Sequence, residues 1–158
     1  VNAPDTPSDA GSPRVDFYVI DDASPLARLK LACRIVEKAY CAEQSVLVWL
    51  SDREELRTFD ELLWTFADRS FVPHEELAPG ALAVEAPVLL SAGTPPAGDI
   101  DVIVNLTAEV PPCYARARRV AEIVDGDETR RRAGRARFKT YRDLGLQPVS
   151  HTLRNGQS

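Results

Sequence analysis

The stretch Ser45–Leu50, SVLVWL, is apolar at nearly every position, and it constrains the fold more than any other part of the chain. A strand with one wetted face alternates apolar and polar residues. A run without alternation has its side chains covered on both faces. Such a strand belongs inside a sheet that has helices above and below it. The flanking sequence supplies both elements. Val15–Ile20 (VDFYVI) is β-branched and aromatic and reads as the first strand. Pro87–Ser91, Ile100–Leu106 and Arg119–Val124 read as further strands, with Leu146–Leu153 as a last edge strand. Ser24 is expected as N-cap and Pro25 as first residue of a helix running to about Glu43, where Leu29, Cys33, Val36 and Tyr40 recur every three or four residues. Ser51–Glu54 fits the S-x-x-E capping box and opens a second helix with Leu56, Phe59 and Leu63 on its buried side. Alternation of this kind implies a single α/β domain over 15–153, a mostly parallel sheet with helices on both faces. Residues 1–14, rich in Pro, Ser, Asp and Ala, are expected as a disordered tail, and 154–158 as a frayed end.

A third helix carries the charge. Asp127 is expected as its N-cap and Gly145 as its left-handed C-terminal stop. At about 100° per residue, Arg131, Arg132, Arg135, Lys139 and Arg142 share one stripe. Ala133, Gly134, Tyr141 and Leu144 fall on the core-facing arc, and Phe138 on the border. The chain has a formal net charge of −5, yet Arg116–Arg142 holds ten Arg or Lys against four acids. One basic patch on an acidic protein fits a local acidic ligand better than general coating of nucleic acid.

Other chemistries are poorly served. The first strand is followed by Asp21-Asp22-Ala23-Ser24-Pro25, with no glycine and two carboxylates, so no nucleotide-binding loop of the G-x-G-x-x-G kind exists there. Asp21 or Asp22 with Asp99 or Asp101 offers an alternative, a Mg²⁺-dependent phosphotransferase or hydrolase, set against simple helix capping. Neither His74 nor His151 accompanies a nucleophile motif, and His74 is expected at the surface or an interface. Cys33, Cys41 and Cys113 lack metal spacing and read as small buried hydrophobes. No metal or cofactor is expected. No apolar run approaches the roughly 20 residues of a membrane span, and the absence of a signal pattern points to the cytoplasm. Trp64–His74 (WTFADRSFVPH) breaks helical period and crowds aromatics of the type found at interfaces.

Two runs together, Asp60–His74 (DELLWTFADRSFVPH) and Arg135–Gly145 (RARFKTYRDLG), resemble the chi subunit of bacterial DNA polymerase III, a likeness extending over about Arg14–Leu153. The resemblance implies a Rossmann-like fold without nucleotide chemistry, in a non-catalytic accessory part of the clamp-loader assembly. It further implies that Val124, Arg135, Phe138, Lys139 and Arg142 bind the acidic C-terminal tail of single-stranded DNA-binding protein. Trp64, Phe71, Val72, Pro73 and His74 would face a psi subunit, or a helicase at the same surface. Association with single-stranded DNA would then be indirect; direct contact through Arg116–Arg142 is a third reading. Phe138 stands where the family pattern has Tyr, which keeps the ring and drops the hydroxyl.

Overall fold

The computed structural model describes residues 12–66, 71–77 and 86–153. Most of the expected N-terminal tail and all of the expected frayed end lie outside these residues. Among the described residues, seven strands form one sheet: β1 (Arg14–Ile20), β2 (Val46–Trp49), β3 (His74–Glu76), β4 (Val88–Ser91), β5 (Ile100–Asn105), β6 (Ala117–Val124) and β7 (Val149–Leu153). Their order is β3-β4-β2-β5-β6-β1-β7, and every pair is parallel. The helices are α1 (Ala27–Cys41), α2 (Arg53–Thr65) and α3 (Glu128–Asp143), with a short 3-10 turn at Tyr114–Arg116.

Period-two alternation divides the core. In β2, Val46 and Val48 join Val36 of α1 and Phe59 of α2 on one face. Leu47 and Trp49 join Phe17, Val124 and Tyr141 on the other, beneath α3. This is the two-sided covering that the SVLVWL run requires.

The helix starts depart from expectation by one or two residues. The cap position of α1 is Leu26, without a side-chain bond. Ser24 is held earlier, its amide donating to Asp22 Oδ1 at 2.8 Å, so the Ser24–Leu26 segment forms a turn before the helix. In α2 the cap is Asp52, which accepts from the amide of Glu55 at 2.8 Å, while Glu55 Oε1 accepts from the amide of Ser51 at 3.0 Å. The cap is therefore one residue later than expected, and the return bond of Glu55 goes to the amide of Ser51 rather than to that of the cap residue. Cys33 and Cys113 are buried as expected, but Cys41 is exposed at the end of α1. Burial pushes the Cys33 thiol up to about 12.

His74 is not at the surface. It lies in β3 with its side chain wholly covered, its ring nitrogens 2.7 Å from the carbonyl of Val72 and 2.8 Å from Asp60 Oδ1. Val72 is buried as well. α2 ends at Thr65, well before Pro73; beyond Pro73 the chain enters an edge strand, and pairing with β4 draws His74 inward.

Candidate functional site

Helix α3 is fixed at both ends and from below. Asp127 caps it by accepting from the amide of Arg130 at 2.9 Å. At the other end Gly145 has φ +90°. The amides of Gly145 and Leu146 return to the carbonyls of Arg142 and Tyr141, both at 3.0 Å. These paired bonds form a Schellman stop, where a residue with a Cβ would be strained. The reversal carries Leu144 outward to 48% exposure, against its expected place in the core.

The core-facing arc contains a residue that periodicity assigned to neither face, Arg137. It is buried, and its Nε donates to Glu122 Oε1 at 2.8 Å. Tyr141 donates its hydroxyl to Glu122 Oε2 at 2.6 Å, and Asn105 Nδ2 donates to the same carboxylate. Burial pushes the Glu122 carboxyl up; Arg137, Tyr141 and Asn105 oppose that. A buried carboxylate satisfied from three sides ties α3 to β5 and β6.

On the outer flank of α3 lies a cavity of about 190 Å³ lined by Phe17, Val124, Arg131, Gly134, Arg135 and Phe138, with Val19 and Ser150 at its border. The Phe138 ring rests on Phe17, centroids 5.2 Å apart. Gly134 allows the helix to come close: a Cβ there would lie 2.8 Å from Val124 Cγ2. A neighbouring groove is formed by Arg135, Phe138, Lys139, Arg142 and Asp143. The five residues Val124, Arg135, Phe138, Lys139 and Arg142 thus share one continuous surface. Phe17, Val19, Gly134 and Ser150 also border the cavity, and sequence reading missed them. Only the alternation of VDFYVI, which puts Phe17 and Val19 on one face, could have signalled two of these.

The cations of this surface are weakly held. Arg135 is 3.7 Å from Glu128, and Lys139 is 3.0 Å from Asp143, all four largely exposed. Pairs of this kind contribute little to stability and exchange readily for another anion. Arg131 is steadier, its Nε donating to the carbonyl of Asp125 at 3.1 Å. The surface offers guanidinium and ammonium donors around an apolar-walled hollow. It suits a carboxylate joined to an apolar group.

The family model described as DNA polymerase III chi subunit, HolC, matches residues 13–149. The chain belongs to the chi family. It is 40% identical over 140 residues to the DNA polymerase III subunit chi of Pseudomonas aeruginosa, covering 89% of this chain and 96% of that one. The subunit chi of Escherichia coli K12 is 25% identical over 135 residues, covering 82% and 91% respectively. Among solved structures, bacteriophage T4 UvsW superposes with a TM-score of 0.63 at 9% identity, and Saccharomyces cerevisiae Dbp5 with 0.57 at 9%. The chain covers 89% and 87% of itself in these matches but spans 41% of either structure. At such identity the likeness concerns the fold alone.

The residues of the second surface read from the sequence divide between exposed and buried. Trp64 is 44% and Phe71 65% exposed. The Trp64 ring lies tilted against those of Phe71 and His74, with centroids 5.1 and 4.3 Å apart. Val72 and His74 are buried, and Pro73 is half-buried. The aspartates give no metal site: Asp22 accepts from Ser24, Asp21 lies 3.4 Å from Arg131, and no cluster able to hold a metal occurs among the described residues. No helix among them is long and apolar enough to cross a membrane.

Proposed function

We propose that this chi-family chain is a non-catalytic accessory subunit of the DNA polymerase III holoenzyme. In this reading it binds the acidic C-terminal tail of single-stranded DNA-binding protein on the outer flank of α3. It is joined to the clamp loader through a psi-type subunit at Trp64 and Phe71, a surface that a helicase could also use. Its association with single-stranded DNA is then indirect, and its place of action is the cytoplasm.

The observation that carries the reading is the cavity between Val124 and Phe138 with Arg135 at its rim, continuing into the groove of Lys139 and Arg142. A terminal phenyl ring buried against Val124 and Phe138 contributes about 1.5–3 kcal/mol. Charge-assisted bonds from Arg135 or Lys139 orient its carboxylate. Titration with a short acidic peptide ending in Asp-Pro-Phe, beside the same peptide without its Phe, tests this. Binding that requires the Phe and weakens with salt is expected. Equal binding of the two peptides would remove the cavity from the account.

A further inference from the structure

We propose that the crevice at the carboxyl ends of β2 and β5 is a second ligand site, one that takes a phosphate-type oxyanion. The two strands are hydrogen-bonded neighbours. The chain leaves them in opposite directions: from β2 through α2 toward β3, and from β5 through the 3-10 turn to β6. In open parallel sheets this divergence opens a crevice beyond the strand ends, where ligands bind. Here it is a cavity of about 210 Å³, with Ser51 after β2, Thr107 after β5, Arg28 from α1, and Thr129, Arg130 and Arg137 from α3. Thr129, Arg130, Ala133 and Arg137 line it along one flank of α3, whereas Arg131, Gly134, Arg135 and Phe138 line the tail-type cavity along another.

Among the described residues, three arginines line the crevice and no acid does. The carboxylates are partners of the guanidiniums without lining it: Glu55 holds Arg28, Asp125 grips Arg130 through Nε and Nη2, and Glu122 holds Arg137. Arg28 and Arg137 also donate to the carbonyls of Leu106 and Ala108. The forks are thus oriented in advance. The buried Nε of Arg28 has no partner among the described residues. An unsatisfied buried donor is costly, and a ligand oxygen would relieve that cost.

Guanidinium forks and hydroxyls together suit a compact tetrahedral oxyanion. Three carboxylates offset the three cations, so recognition here rests on hydrogen-bond geometry more than on net charge. Without a glycine loop, the crevice holds one phosphate group and no extended pyrophosphate backbone.

The test is calorimetric titration of the full chain with inorganic phosphate and, separately, with adenosine monophosphate, each against sodium chloride of equal ionic strength. Saturable phosphate binding is expected, weakened at least tenfold in Arg28→Gln. Because that change can disturb folding, Ser51→Ala/Thr129→Val serves as a second variant, with several-fold weaker binding and an unchanged melting temperature. Tighter binding of the nucleotide identifies an ester as the source, and equal or weaker binding identifies the free ion. Arg135→Ala should leave phosphate binding intact, which separates this site from the tail surface. A response matched by chloride, or binding unchanged in both crevice variants, would overturn the proposal.

Discussion

Arg137 Nε donates to Glu122 Oε1 across 2.8 Å, and both side chains are shut away from solvent beneath α3. The pair anchors the helix on which both proposed ligand surfaces are built. Breaking one half of such a pair strands the other charge in the interior, while replacing both can be nearly neutral. Arg137→Met is therefore expected to destabilise by about 3–5 kcal/mol. Arg137→Met/Glu122→Leu should recover much of that loss. Urea denaturation of the two single variants and the double gives the coupling; additive losses would mean that the pair does not act as a unit.

Arg135→Ala and Lys139→Ala should leave the melting temperature unchanged, because both side chains are exposed and their ion pairs are at the surface. Each should weaken the Phe-ending peptide about ten- to a hundredfold, the value of a hydrogen bond to a charged group. Normal affinity in both variants would place the peptide elsewhere.

Gly134→Ala separates stability from binding. The added methyl is favoured in a helix by about 1 kcal/mol, but it must displace Val124, whose Cγ2 would lie 2.8 Å away. Folding stability is expected to stay within about 1 kcal/mol of the parent. The cavity narrows, so the peptide with its terminal Phe should bind more weakly while the one lacking it is unaffected. Parallel losses for both peptides would contradict this.

Asp16 makes stability depend on acid. It is buried, which raises a carboxyl pKa, but bonds from His151 and Arg119 and the charge of Arg14 outweigh burial and hold it below the usual carboxylate range. A group depressed in the folded state stabilises above its unfolded value, about 3.9, and that stability is lost as pH falls through the folded value. Asp16→Asn should be less stable than the parent at pH 7. The deficit should shrink between about pH 5 and pH 2. A deficit constant with pH would exclude ionisation as its origin.

Local patterns were legible where one interaction dominates. The SVLVWL run marked a strand covered on both sides, and Asp127 and Gly145 marked the ends of α3, because apolar covering, capping and left-handed backbone each leave a residue-level signature. Helix periodicity brought Arg135, Phe138 and Lys139 together for the same reason. It could not show that Arg137 turns inward, since the cause is Glu122 on β6, fifteen residues earlier in the chain. His74 escaped likewise: its burial follows from β3 pairing with β4, and a three-residue strand has too short a pattern to read. The phosphate crevice was still less accessible, being assembled from α1, α3 and the ends of two strands. The lack of a glycine loop argues against one mode of phosphate binding and is silent on a cluster of arginines.

The strand order has a consequence for synthesis. β1, the first of the described strands in chain order, is held between β6 and β7, the last two, and Asp16 meets His151 across a separation of 135 residues. Closing so long a loop is slow and comes late. As the chain leaves the ribosome, β1 waits without its neighbours until β6 and β7 have emerged. Neither flank of α3 exists before then. A chain still lacking α3 and β7 could not compete for a binding partner, since both line the surface that would do so.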